Sequence, residues 1–159
     1  MKSIPHYQAI LSSPVGPLGI LIEKDALYSI DFLADDTAPL VAEDSLTAQV
    51  VEQLQRYFKQ AEWHFSLSLR PVGTPFQLSV WQQLQQIPAG EVRTYGEIAK
   101  ALGSGPRAVG NACRNNPLPV VVPCHRVVAA SGPGGYAGQT QGRNMTIKRW
   151  LLKHEGITI

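Results

Sequence analysis

Short alternating stretches open the chain. Residues 7–12, 18–24 and 26–33 interleave apolar and polar side chains, and Pro14-Val15-Gly16-Pro17 breaks the first from the second, so three strands are predicted. The period then changes. Leu46, Val50, Leu54 and Phe58 recur at helical spacing, which predicts an amphipathic helix over 45–60. Phe65, Leu67 and Leu69 alternate with Ser66 and Ser68 and read as one more strand. Pro71-Val72-Gly73 fits neither period and is read as a linker.

Beyond the linker the pattern is helical. Thr74 followed by Pro75 has the chemistry of a helix start, hydroxyl cap first and proline at the first helical position. Phe76, Val80, Leu84 and Ile87 form its apolar stripe, and Pro88-Ala89-Gly90 ends it. Thr94-Tyr95-Gly96-Glu97 is a capping box that opens a short helix through Ile98, Ala99 and Leu102. Gly103-Ser104-Gly105-Pro106 turns the chain into a second short helix over 107–114. Two short helices about a glycine turn suggest a helix-turn-helix, although such turns are common in helical domains and spacing alone favours a simple αα-hairpin in a core. A last helix is predicted over 145–153, with Ile147, Leu151 and Leu152 on its buried face.

Composition narrows the class. The 159 residues are 44% hydrophobic and 16% charged, which fits a folded globular chain rather than a disordered one. No apolar run is long enough to cross a membrane, and the opening Met1-Lys2-Ser3-Ile4-Pro5-His6 is not a secretory leader, so a cytoplasmic protein is expected. Two cysteines cannot form a disulfide framework, and the four histidines show no metal-ligand spacing, so neither metal nor cofactor is expected. Charge divides the chain. Residues 1–70 carry five Lys/Arg against nine Asp/Glu, whereas residues 71–159 carry nine against three. The second half is therefore the one suited to a polyanion.

The chemistry concentrates late. Val120-Val121-Val122, Pro123-Cys124-His125-Arg126 and Val127-Val128 set a thiol, an imidazole and a guanidinium between two apolar runs, where each needs a partner. A free thiol is only a few per cent thiolate at neutral pH, so a nucleophilic Cys124 needs a base or positive surroundings. Neighbours on an extended strand point apart, so His125 is expected to reach Cys124 through a turn or a bridging water. Spacing leaves Glu91, Glu97 and Glu155 open as the carboxylate orienting His125. Cys113 has no local activator and reads as a packing residue. A Cys–His hydrolase, a non-catalytic lesion-binding protein and a helix-turn-helix regulator all remain compatible with parts of this pattern.

These motifs together resemble the O6-alkylguanine-DNA alkyltransferases, the methylated-DNA–protein-cysteine methyltransferases. The likeness runs through Thr74-Pro75-Phe76-Gln77, Gly90-Glu91-Val92, Thr94-Tyr95-Gly96-Glu97-Ile98-Ala99 and Arg107-Ala108-Val109-Gly110. It continues through Asn116-Pro117, Pro123-Cys124-His125-Arg126-Val127, Trp150-Leu151-Leu152 and His154-Glu155-Gly156. The resemblance implies an α/β (α+β) chain: an RNase H-like α/β domain over 1–70, then a mostly helical DNA-binding domain with a winged helix-turn-helix over 74–159. It implies a monomer acting on double-stranded DNA through the minor groove. The reaction would be one irreversible transfer of the alkyl group from O6-alkylguanine, and from O4-alkylthymine, to Cys124. Glu155 would orient His125, which would deprotonate Cys124 through a water, with Asn116 as hinge. Contacts to DNA or the extruded base would come from Tyr95, Arg107, Ala108, Arg126, Val127, Tyr136 and Ala137, with the carbonyls of Cys124 and Val127 accepting the exocyclic amine. Two departures stand out. The stretch from Tyr136 to Trp150 is several residues longer than the family pattern, and Ala137 stands where some relatives carry a hydroxyl.

Overall fold

The computed structural model describes residues 6–138 and 141–158. The opening residues 1–5, read above as lacking a leader, lie outside the described residues, as do Gln139 and Thr140 of the lengthened stretch. The chain divides into two compact units, Met1–Pro71 and Val72–Ile159.

The first unit is a three-stranded antiparallel sheet with one helix. Strands β1 (Ala9–Leu11), β2 (Leu18–Glu23) and β3 (Ala26–Phe32) pair in chain order, with Ala9 opposite Ile20 and Ile20 opposite Ile30. That register puts Ala9, Leu18, Ile20, Leu27 and Ile30 into the core. Helix α1 (Ser45–Lys59) starts where the Asp44 carboxylate accepts the Thr47 N–H, and it buries Val50, Leu54 and Tyr57. The strand predicted over 65–69 is not there. Only Leu69 bridges to Leu27, through Leu27 N–H to Ser68 O and Arg70 N–H to Leu27 O. Gln53 takes the place of a strand partner, its amide accepting from Ser66 N–H at 2.8 Å and donating to Ser66 O at 2.9 Å.

The second unit is mainly helical. Helix α2 (Pro75–Gln85) opens with a full capping box, Thr74 accepting from Gln77 N–H and the Gln77 side chain from Thr74 N–H. Its buried face is Val80, Trp81 and Leu84, and Trp81 Nε1 donates to Ala112 O at 2.8 Å. Helix α3 (Tyr95–Leu102) has the same box built from Thr94 and Glu97, and it ends on Gly103 at φ +63, a left-handed position natural to glycine. Helix α4 (Pro106–Arg114) follows across the turn, so α3 and α4 form the predicted helix-turn-helix. A two-stranded parallel ladder was not legible beforehand: β4 (Arg93–Thr94) pairs with β5 (Val127–Val128). It joins the start of α3 to the Cys-His-Arg segment. Helix α5 (Arg143–His154) closes the unit. Among the described residues no helix is long and apolar enough to cross a membrane.

Candidate active site

Side chains, not a strand, shape the segment that carries the thiol. Pro117, Pro119 and Pro123 have no N–H to give a ladder, and the β-branched, buried Val120–Val122 form turns. Asn116 substitutes for the missing backbone pairs: its Oδ1 accepts from Leu118 N–H at 2.9 Å and its Nδ2 donates to Val122 O at 2.8 Å. Val122 N–H then reaches Leu118 O, and Cys124 N–H reaches Val122 O, both at 2.8 Å. Within this brace Val120 sits at φ +74. A buried β-branched residue there carries strain on the order of 1–3 kcal/mol, which the surrounding bonds must hold.

Cys124–Arg126 then form one 3-10 turn. Successive side chains on such a turn splay by roughly 120°. The opposite-face geometry of a strand therefore does not apply. Cys124 looks into a cavity, while His125 is completely buried and points to Glu155 at the end of α5.

Glu155 is the hub. It is the C-cap of α5, and its carboxylate receives His125 Nε2 at 2.8 Å on Oε2. Arg126 donates through Nε to Oε1 at 2.8 Å and through Nη2 to Oε2 at 3.0 Å, while its Nη1 holds Ile87 O at 2.6 Å. Burial alone would raise the Glu155 pKa, but the hydrogen bonds from His125 and Arg126, with the charge of Arg126, bring it down to about 2. An ionised Glu155 is acceptor-only, so Nε2 of His125 carries the proton and Nδ1 is the acceptor nitrogen. Nδ1 is buried and has no partner within the protein. Burial also pushes the His125 pKa down, outweighing the pull of Glu155, so the resting imidazole is neutral and able to take a proton. Arg126 was expected to meet the base or DNA. It is instead committed to Glu155 and Ile87 and is 8% exposed, because a guanidinium buried here needs the paired carboxylate.

The cavity in front of Cys124 holds about 260 Å³ and is lined by Tyr95, Gly110, Cys113, Arg114, Cys124, Gly135, Tyr136, Ala137 and Gly138. Burial pushes the Cys124 thiol up, against opposing hydrogen bonds from Asn116 and Tyr136 and the charge of Lys148. The sequence suggested a sulfur ionised by its neighbours; burial outweighs them, and the resting group is a thiol. Cys113, taken as packing, shares the cavity wall, and its thiol too is pushed up by burial. The Tyr95 hydroxyl is 3.4 Å from Gly135 O and its pKa is raised to about 12, mainly by burial, so it remains a donor. Gly134, at φ +73, lies so close to the Tyr95 ring that a Cβ would come within 2.8 Å of it. Ala137 and Gly138 continue the wall at φ +49 and +84, and Asn144 Nδ2 donates to Ala137 O at 3.3 Å.

Besides Arg126, three predicted contact residues lie outside the cavity lining. Arg107 is exposed and Ala108 half-buried on the first turn of α4, and Val127 is buried in β5. The carbonyl of Val127, expected to be open to the base, already accepts from Lys148 Nζ at 2.7 Å. Lys148 escaped the sequence reading although the signal existed: it lies three residues after Met145 and three before Leu151, on the buried stripe of α5. Arg114, at the cavity edge beside Gly138, was missed as well. Among the described residues no group of three His, Cys, Asp or Glu is placed to hold a metal.

Known proteins resemble this chain over nearly its whole length. Residues 75–157 match the DNA binding domain of 6-O-methylguanine DNA methyltransferase, and residues 6–71 match the ribonuclease-like domain of the same family. The methylated-DNA–protein-cysteine methyltransferase of Methanosarcina acetivorans is 40% identical over 158 residues, covering 94% of this chain and 98% of that one. The constitutive enzyme of that name from Bacillus subtilis is 39% identical, covering 96% and 97%. The structure superposes on the Mycobacterium tuberculosis O6-methylguanine methyltransferase with a TM-score of 0.78 at 36% identity, over 92% of this chain and 90% of that one. A structure of the M. tuberculosis protein in complex with DNA gives 0.77 at the same identity, over 92% and 91%. A thiol-lined cavity backed by a Glu-His pair, on a chain matched nearly end to end by two models of one family, places this protein among the 6-O-methylguanine DNA methyltransferases.

Proposed function

We propose that this protein repairs DNA by direct reversal, moving the alkyl group of O6-alkylguanine, and of O4-alkylthymine, onto Cys124 in a single irreversible turnover. The observation that carries the reading is the position of Cys124: its thiol borders a cavity on one side, and the next residue, His125, is held by Glu155 on the other. Family likeness supports the substrate class: the family models are named for 6-O-methylguanine and the relatives above for methylated DNA.

The chemistry follows from the protonation states. Cys124 rests as a thiol and His125 as a neutral base, so the proton leaves as attack begins, through a water to Nδ1, the one ring nitrogen without a protein partner. Glu155, already ionised, stabilises the imidazolium that forms. The sulfur attacks the alkyl carbon, the carbon–O6 bond breaks, and its electron pair stays on guanine. A developing charge of that kind needs a donor, and the Tyr95 hydroxyl, with its pKa of about 12, supplies one to the base. The resulting thioether offers no acyl or phosphoryl bond to hydrolyse, so the protein is consumed.

A base inside a duplex cannot reach this cavity, so the nucleotide must be extruded, which costs a few kcal/mol. Helix α4 is suited to enter a minor groove, with Gly105, Ala108 and Gly110 leaving little bulk beside exposed Arg107, the candidate to fill the vacated stack. The protein acts as a monomer in this scheme. Arg126 serves the site through Glu155 and Ile87 O rather than by touching substrate. The test is incubation with a duplex containing O6-methylguanine and peptide mass mapping. A Cys124 peptide heavier by one methylene, with protein and lesion consumed one to one, is expected. Repeated turnover would point to a hydrolase, binding without transfer to a lesion-binding protein, and label on Cys113 would reassign the acceptor.

A further inference from the structure

The cavity in front of the acceptor holds a second sulfur that methyl transfer leaves unused. Cys113 and Cys124 border the same space of about 260 Å³. Gly110, Cys113 and Arg114 reach it together, at the i, i+3 and i+4 spacing of one helical face, so Cys113 lies on the cavity side of α4. Asn116 ties the two cysteines into one frame. Its N–H donates to Cys113 O at 3.2 Å, and its Nδ2 donates to Val122 O at 2.8 Å. Cys124 N–H donates to that same Val122 O, also at 2.8 Å. The two cysteines are thus held at a set spacing around one cavity, 8% and 6% exposed. The other functional side chains of its wall are the phenols of Tyr95 and Tyr136 and the Arg114 guanidinium, none of them a soft nucleophile.

A methyl group gives a second thiol nothing to attack, but an alkyl group with a leaving group of its own does. Once a 2-haloethyl group has moved from guanine O6 to Cys124, the new thioether sulfur can displace the halide and close a three-membered sulfonium ring. That cation alkylates the nucleophile nearest to it. We infer that Cys113 is this nucleophile: the cavity is a two-thiol site that takes both ends of a bifunctional O6-alkyl group, closing an ethylene bridge between Cys124 and Cys113. The inference rests on the alkyl-transfer reading and widens its substrate class to O6-(2-haloethyl)guanine. Every bond is accounted for. In the transfer the first S–C bond forms, the C–O6 bond breaks and its electron pair stays on guanine. In ring closure a second S–C bond forms and halide leaves with the pair of the carbon–halogen bond. The Cys113 sulfur then attacks one ring carbon, the bond from that carbon to the sulfonium returns to Cys124 as a lone pair, and the Cys113 proton passes to water. Burial pushes the Cys113 thiol up, so it does not compete for a methyl group on O6. A strained sulfonium is reactive enough for water to open, and a thiol sharing its cavity is the stronger nucleophile. Well-oriented groups within one site reach effective concentrations of about 10⁵ M, and a small fraction of that outcompetes both water and the DNA outside. The protein is thereby kept from becoming cross-linked to the strand it repairs.

The probe is 1,2-dibromoethane, which delivers the same ethylene unit with a bromide at each end. One portion of wild-type protein receives it in the presence of an unmodified duplex, and another receives the O6-methylguanine duplex. Trypsin cuts after Arg114, between the two cysteines, so a bridge appears as two joined peptides. The expected main product is the Cys113 and Cys124 peptides linked by an ethylene group in place of two thiol protons, with protein–DNA cross-links scarce. A duplex carrying freshly made O6-(2-chloroethyl)guanine should give the same bridge and restored guanine. In Cys113→Ala, Cys124 should instead carry a 2-hydroxyethyl group or be joined to DNA, with cross-links rising severalfold. Hydroxyethylated, DNA-linked or unmodified Cys124 as the main wild-type species, in protein that does accept the methyl group, would overturn the inference without recourse to any variant. So would a bridge from Cys124 to any other residue. A Cys113–Cys124 bridge in protein that never takes the methyl group would refute the repair function and leave the two-thiol site standing. Failure of both reactions would overturn both.

Discussion

The two units bury different kinds of side chain, and the contrast locates the chemistry. In Met1–Pro71 the core is Ala9, Leu18, Ile20, Leu27, Val50, Leu54 and Tyr57, and its buried polar groups, Thr47 and Gln53, are neutral and bonded locally to Asp44 and Ser66. In Val72–Ile159, His125, Arg126, Lys148 and Glu155 are all at or below 8% exposure. Among the described residues, every buried ionisable side chain of Asp, Glu, His, Lys or Arg type falls in the second unit. A chain needing only stability would replace such groups with packed hydrocarbon at little loss. The first unit follows that economy. The second keeps a network whose members hold a protonation state each: an ionised Glu155, a neutral His125 and a protonated Lys148 around a neutral thiol.

The sharpest way to break this comparison is to remove the hub. Glu155→Ala strands His125 and the Arg126 guanidinium in the core, and loss of one partner of a buried pair costs about 3–5 kcal/mol. Urea unfolding should register that loss, together with abolished transfer. A cost below about 1 kcal/mol would mean the network is solvated and the contrast unfounded. Leu54→Ala in the first unit should cost a similar 2–5 kcal/mol, since Leu54 is 0% exposed. Its transfer rate per folded molecule, measured at low temperature, should nevertheless match the wild type. A fall in that rate would show the apolar core to be part of the chemistry.

Acid separates the units by a gentler route. Glu155 has its folded pKa depressed to about 2 against an ordinary value of 4.5, so its stabilising contribution is complete above pH 4.5 and is lost as pH falls toward 2. Wild-type stability should therefore decline through that window, and Glu155→Gln should flatten the decline while leaving the alkaline limb unchanged. Equal slopes in the two proteins would remove Glu155 as the cause.

What could be read beforehand follows a physical rule. Features set by neighbours in sequence were legible: the Thr74 and Thr94 caps, the span of α1 with Val50 and Leu54 on its buried face, the glycine turn between α3 and α4, and the bounds of β2 and β3 to within one residue. Features set by distant partners were not. Residues 65–69 alternate like a strand, but among the described residues they bridge to Leu27 alone, so no strand forms. Val120–Val122 carry strand-forming side chains, but three flanking prolines and the Asn116 brace impose turns. The site was legible as residue types, Cys124, His125, Glu155 and Asn116, because their pattern resembles a family. The protonation of Cys124, the engagement of Arg126 and the burial of Lys148 were not, since each depends on burial and on contacts 13 to 39 residues away.

Helix caps offer the smallest and most discriminating perturbation. Asp44 caps α1 in the first unit and Thr94 caps α3 in the second, each by accepting one backbone N–H three residues on. Thr94→Ala should cost about 1 kcal/mol, the ordinary value for a lost hydroxyl cap. Asp44→Ala should destabilise in the same direction. Their functional effects should part company. Thr94 also pairs through β4 with Val128, and it immediately precedes Tyr95, so loosening it lets the hydroxyl proposed to donate to the guanine move relative to the cavity. Thr94→Ala should therefore slow transfer severalfold at temperatures where the protein remains fully folded, whereas Asp44→Ala should leave the rate unchanged. Serine at position 94 restores the cap hydroxyl without the methyl group and should recover the rate. If Asp44→Ala and Thr94→Ala slowed transfer equally, the rate would be tracking global stability, and the division between a unit that only folds and a unit that also reacts would not hold.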